Sequence, residues 1–159
     1  MKQWLVLIVL ALVIWWVFFR PKSDPDPGDI FPKYIHERNL ISEAQEADCD
    51  KFIEGNVTFE GGPDAFKNLH KIIRHKYVEC LKHCYPNKWS NPAEGMKEYV
   101  GRLNQIPTMY VDDMTSMYKK YGIPESLRNK HMDLINSHHD QIIQNENKWF
   151  KIFYPQNTK

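Results

Sequence analysis

Cysteine and histidine are the side chains best suited to chemistry in this 159-residue chain. Several of them fall on one predicted helix: His70, His75, Cys80, His83 and Cys84. Such residues bind zinc when one Cys-x2-4-Cys pair on a turn is joined by a second pair from elsewhere. The second pair is missing here, so we predict no metal site. A Cys/His metal-binding module is therefore only our third interpretation of the function.

The three cysteines, Cys49, Cys80 and Cys84, are also candidates for a disulfide. Cys80 and Cys84 are one helical turn apart, so a bridge between them would constrain little. A bridge from Cys49 to either of them would instead link two helices. That bridge requires an oxidising compartment, and the sequence leaves the redox state open.

Catalytic motifs are absent from the sequence. It contains no Gly-x-Ser-x-Gly, no His-Glu-x-x-His, no phosphate-binding loop and no dinucleotide fingerprint. His131 and His138 lie on an apolar helical stripe, which favours a structural role for both. We therefore predict no enzymatic activity, no catalytic residues, no cofactor and no small-molecule substrate.

A basic flank on the predicted second helix is the remaining candidate site, formed by Lys67, Lys71, Arg74 and Lys76. Such a flank is either a solvated face or a contact for lipid headgroups or an acidic protein. The chain has 21 basic and 20 acidic residues, and few aromatic residues interleave with the basic ones. Both observations argue against nucleic acid as a partner.

The elements that carry these residues read as helices. Apolar residues recur at intervals of three and four, which is the helical period. Capping and proline signals predict helix starts at Ser42, Pro63, Pro92 and Pro124, and Pro107 is expected to break or kink a helix. We predict an all-α fold in which residues 34–159 form a small bundle of about four or five helices.

The N-terminus carries the strongest signal in the sequence. Trp4 to Phe19 contains no polar side chain, which favours an uncleaved transmembrane anchor over residues 1–20, slightly short for a bilayer. Aromatic and basic residues mark its ends: Trp4, Trp15, Trp16, Phe18, Phe19 and Arg20. Residues 21–33 are rich in proline and aspartate, which predicts an extended tether. Neither the membrane orientation nor the use of a sequon at Asn56 is encoded clearly.

The anchor, the tether segment SDPDPGDIFPKY and the following HERNLIS together resemble small virion proteins of large algal DNA viruses, the chlorovirus-like group. The resemblance covers about residues 1–45. It implies a minor capsid protein that links the internal virion membrane to the capsid shell, with lipid and capsid proteins as partners. The alternative interpretation is a single-span accessory subunit of a mitochondrial respiratory-chain complex in the inner membrane.

Overall fold

The structure is a computed structural model that describes residues 27–84 and 92–155, with side chains described for residues 30–82 and 95–155. This part of the chain contains helices α1 (Pro27–Asn56), α2 (Gly62–Cys84), α3 (Pro92–Leu103), α4 (Ile106–Lys120) and α5 (Glu125–Phe153). It contains no strand, so the all-α prediction is confirmed. The chain divides into two compact units, Met1–Lys33 and Tyr34–Lys159. The second unit contains most of α1 and all of α2 to α5.

The first helix begins earlier than the sequence predicted. Because α1 starts at Pro27, the extended tether predicted over residues 21–33 is wrong for residues 27–33. Proline fits the first turn of a helix, where its missing N–H has no intrahelical partner, and Pro32 removes only one hydrogen bond from the second turn. Ser42 lies inside α1, so the predicted capping box at Ser42 is also wrong.

No helix in the described parts of the chain is both long enough and apolar enough to cross a membrane. The predicted anchor over residues 1–20 and the segment 21–26 lie outside the described residues. The transmembrane anchor therefore stays a prediction from the sequence.

Most of the core of the bundle is formed by α2, α3, α4 and α5, and α1 adds Tyr34 and Ile53. Helix α2 packs against α3 and α4, and α5 packs against the same two helices. The predicted stripe on α2 is confirmed by the buried residues Phe66, Leu69, Ile73 and Tyr77. Fully burying such a side chain contributes about 1.5–3 kcal/mol. Met109, on α4, is 51 % exposed.

Turns set the directions of the helices. Pro107 lies in the first turn of α4, so it opens a helix and does not kink one. Helix α4 ends just before Gly122, which adopts a φ of 57° that only glycine takes up readily. The Ile123 N–H donates to the Tyr118 carbonyl at 3.0 Å, which closes the end of the helix.

The turn between α1 and α2 depends on glycine at position 62. A Cβ atom added there would overlap the Phe59 ring, whereas one added at Gly101, on α3, would meet nothing within 4 Å. We expect Gly62→Ala to lower the free energy of unfolding by about 1–3 kcal/mol through overpacking. Gly101→Ala should raise it by up to about 1 kcal/mol through helix propensity. Chemical denaturation of both variants measures the difference, and equal effects would contradict this role of Gly62 in the turn.

Candidate functional site

A cavity of about 280 Å³ lies between α1, α2 and α5. Its walls combine apolar side chains with ionisable ones, and all of its lining residues belong to the second unit. Helices α1 and α2 run antiparallel along it, because the Arg74 guanidinium meets the Glu46 carboxylate at 2.6 Å and the Phe52 and Phe66 ring centroids are 5.7 Å apart. Histidine, lysine, arginine and acidic side chains converge on this concave surface, which makes it the candidate site.

A buried carboxylate closes one end of the cavity. Glu146, on α5, is fully buried. The Tyr34 hydroxyl donates to its Oε2 at 2.6 Å, and Arg38 Nε donates to its Oε1 at 2.9 Å. The Arg38 Nη2 also donates to the Tyr99 hydroxyl at 3.1 Å. This cluster, which we call the Glu146 network, connects α1 to both α3 and α5.

Burial and charge pairing act in opposite directions on the two charged groups of the Glu146 network. Burial raises the pKa of Glu146, while Arg38 and the hydrogen bond from Tyr34 oppose that rise. Burial also disfavours the charge on Arg38, but Tyr99, Tyr34 and Glu146 outweigh it and raise the pKa of Arg38. Because every polar neighbour of the carboxylate in the network is a donor, we assign Glu146 as ionised and paired.

A second buried cluster, the His–Tyr relay, lies beside the cavity. The Tyr118 hydroxyl bonds to His131 Nδ1 at 2.8 Å, and His131 Nε2 bonds to His70 Nε2 at 2.8 Å. Phe52 stacks on the His131 ring with centroids 5.2 Å apart, and the edge of Phe66 meets it at 4.7 Å. These rings shield the relay from water.

Shielding keeps both relay histidines uncharged near neutral pH. Burial, with the nearby His70 and His138, lowers the pKa of His131 to about 3. Burial, with His138, lowers the pKa of His70 to about 4. The structural role predicted for His131 and His138 agrees with their burial among core residues.

The basic flank is divided by the structure. Arg74 is paired with Glu46, and Lys76 lies 3.9 Å from Asp113. Lys67 and Lys71 are exposed at the cavity rim, and neither has an ion-pair partner within the described residues. The four predicted contact residues therefore comprise two paired charges and two available ones.

The cysteines do not come together. Cys49 is a half-buried thiol, and burial with the neighbouring acidic residues raises its pKa to about 12. The candidate bridge from Cys49 is not formed, because the cysteines are out of register between the two helices. The Glu46–Arg74 and Phe52–Phe66 pairs place Cys49 level with residue 70, so Cys80 lies about 15 Å further along α2. The side chain of Cys84 lies outside the described residues.

No three histidine, cysteine or acidic side chains converge on a point that would suit a metal ion in the part of the chain described. His70 is bonded to His131, and His75 is exposed on the outer face of α2. The side chains of His83 and Cys84 are not among those described.

Comparisons with known protein families, with curated proteins and with solved structures gave no match.

Arg38 and Glu146, the ion pair of the Glu146 network, were not identified from the sequence. Both carried a detectable signal, because each sits at helical spacing among residues that face inward. Glu146 falls between Ile142 and Trp149 on the α5 stripe, and Arg38 follows Tyr34 by one turn. A charged residue on an apolar stripe predicts either a break in the stripe or a buried ion pair.

Breaking the Glu146 network should destabilise the fold strongly. Glu146→Leu leaves the Arg38 guanidinium buried without its carboxylate, so we expect a loss of about 3–5 kcal/mol in the free energy of unfolding. The matched control is Lys148→Met, which removes an exposed ion pair with Glu37 at 2.6 Å and should cost at most about 1 kcal/mol. Denaturant titrations of both variants provide the test. Similar losses in the two would contradict the role assigned to the network.

The His–Tyr relay should make the fold sensitive to acid. The folded-state pKa values of His70 and His131 lie below the ordinary value of 6.5. As the pH decreases, these histidines therefore bind protons in the unfolded chain before they do so in the folded chain. Stability is therefore full above about pH 6.5 and falls as the pH decreases toward 4, by up to about 2.7 kcal/mol per pH unit for two histidines.

The measurement is the free energy of unfolding at several pH values for the natural chain and for His131→Gln. The variant should lose about half of the histidine-dependent slope between pH 6.5 and 4. An unchanged slope would show that the relay histidines do not titrate as described.

Proposed function

We propose that this chain is a non-enzymatic structural protein that residues 1–20 hold at a membrane and whose helical unit binds another protein of the same assembly. The observation that carries the proposal is the pair Lys67 and Lys71. They are one helical turn apart on α2, exposed, and without an ion-pair partner among the described residues. Two free ammonium groups on one face suit an acidic surface of a partner.

The organisation of the buried polar groups also supports a structural role. Within the Glu146 network and within the His–Tyr relay, most of the polar groups bond to other members of the same cluster. Networks of this kind rigidify a fold when they are satisfied. A rigid unit carried by a hydrophobic segment is suited to connecting a membrane to a protein layer.

In its most specific form, the proposal is a minor capsid protein that links an internal virion membrane to the capsid shell. The support for this form is the resemblance of residues 1–45 to small virion proteins of large algal DNA viruses. Lipid and capsid proteins are then the partners, and the lysine pair contacts an acidic surface of a capsid protein.

The proposal predicts how the full chain partitions and what it contacts. The full chain should stay with membranes after an alkaline wash, whereas a variant lacking residues 1–20 should be released, because the apolar run drives insertion. Carbodiimide crosslinking of the assembled particle should join Lys67 or Lys71 to carboxylates of a capsid protein. Lys97, exposed on α3, is the control site for random crosslinking.

Retention of the truncated variant in the membrane fraction would contradict the anchor. Crosslinks that favour Lys97 over the lysine pair would contradict the proposed surface. A respiratory-chain subunit as the crosslinked partner would replace the capsid form of the proposal with the alternative drawn from the sequence.

A further inference from the structure

The His–Tyr relay has a direction that the hydrogen bonds determine. The Tyr118 hydroxyl is buried and its bonding partner is His131 Nδ1 at 2.8 Å. A buried O–H needs an acceptor, so Tyr118 donates and His131 carries its proton on Nε2. That proton is donated to His70 Nε2 at 2.8 Å. Since the ring is neutral, the proton of His70 must then lie on Nδ1.

This assignment leaves a buried donor at the cavity. His70 lines the cavity, and its Nδ1 is buried without a hydrogen-bond partner. His138, which is 7 % exposed, also lines it, and its Nε2 lacks a hydrogen bond, with Asp48 Oδ2 3.7 Å away. Buried polar groups are nearly always satisfied, so the absence of an acceptor here indicates a site for one. Lys67 and Lys71 place positive charge at the same end, and Asp50, which also lines the cavity there, offsets part of it.

Between the two histidines and Arg38 the cavity walls combine apolar and polar side chains. Ile73, Ile142 and Val78 provide apolar surface beside Ser42, Gln45 and Asn145, and the cavity ends at Arg38 and the Glu146 network. From Arg38 to Ile53 the cavity follows roughly 22 Å of α1. Over that length the cavity holds about 280 Å³, a long and narrow space that suits one extended hydrocarbon chain.

We propose that this cavity binds a single-chain anionic amphiphile, with its carboxylate or phosphate head at His70, Lys67 and Lys71 and its hydrocarbon tail extending toward Val78. The head accepts the hydrogen bond from His70 Nδ1 and meets the two ammonium groups. The tail contacts the isoleucine side chains. At the far end Arg38 and Glu146 neutralise each other, whereas Lys67 and Lys71 have no ion-pair partner among the described residues, so the anionic head lies at the lysine end. This ligand site goes beyond the proposed structural function. It shares Lys67 and Lys71 with the proposed partner surface, so the ligand and an acidic partner compete for the same lysine pair.

The probe is dodecanoate, titrated into the purified full chain held in solution by an amphipathic polymer instead of detergent. We expect saturable binding of one dodecanoate per chain. Lys71→Met should weaken binding at least about fivefold, the equivalent of one modest charge-assisted contact. The control Lys97→Met should leave it unchanged. Absence of saturable binding, or equal weakening by the two variants, would overturn the proposal.

The two ends of the ligand are tested separately. Dodecanol, which has the same tail without the charge, should bind at least about tenfold more weakly than dodecanoate. Hexanoate should also bind more weakly, by about fourfold for each methylene removed. Equal binding of dodecanol would overturn the site of the head, and equal binding of hexanoate would overturn the site of the tail.

Nuclear magnetic resonance of the histidine ring nitrogens tests the relay directly. His70 should carry its proton on Nδ1 in the ligand-free chain, and that resonance should shift when dodecanoate binds. Ile142→Phe, which fills the slot away from the head, should abolish binding and leave the His70 resonance at its ligand-free position. A proton on His70 Nε2 would overturn the assignment, as would dodecanoate binding that leaves the Nδ1 resonance unmoved. Because the sample contains no other protein, failure here is distinguishable from failure of the proposed structural function.

Discussion

The Glu146 carboxylate is buried in the helical unit, and the position of α1 depends on how that charge is paired. Water cannot reach it, so Arg38 and Tyr34 must supply its partners. Both of these residues lie on α1, and Arg38 also reaches Tyr99 on α3. A buried ion pair adds little net stability against an apolar alternative, but removing one partner is costly. We infer that the pair specifies where α1 lies on the bundle more than it increases the total stability.

The cavity is a consequence of this arrangement. Helix α1 is joined to α5 and α2 through long polar side chains, including Gln45, which donates to the His138 carbonyl at 3.0 Å, and Glu46. Long side chains hold helices further apart than small apolar ones do. The space that remains is the cavity. The Glu146 network closes one end of it, and the His–Tyr relay lies beside the other end. The same polar groups therefore position α1 and shape the proposed ligand site.

Helices with a regular apolar pattern were predicted more accurately from the sequence than helices without one. Helices α2 to α5 carry apolar stripes and clear boundary signals, and their existence and approximate extent were predicted. Helix α1 was predicted only in its second half, because Arg38 and Gln45 face inward and interrupt its apolar pattern. The prolines near its start were read as incompatible with a helix, although the first turns tolerate them.

The candidate site was less predictable because it depends on tertiary pairing. The exposure of Lys67 and Lys71 followed from the sequence, but the intramolecular pairing of Arg74 and Lys76 did not. The hydrogen bond between His70 and His131 joins residues 61 positions apart, and no local pattern encodes such a contact. The candidate bridge from Cys49 is likewise not formed. It depended on the register between two helices, which sequence spacing does not give.

The most direct test of the central claim is a double-mutant cycle on Arg38 and Glu146, using Arg38→Met and Glu146→Leu with the free energy of unfolding as the readout. Each single variant strands a buried charge, whereas the double variant removes both. We predict that the double variant is no less stable than either single variant, which corresponds to a coupling energy of about 3 kcal/mol or more. Additive losses, with a coupling energy near zero, would contradict the claim that this pair fixes the position of α1.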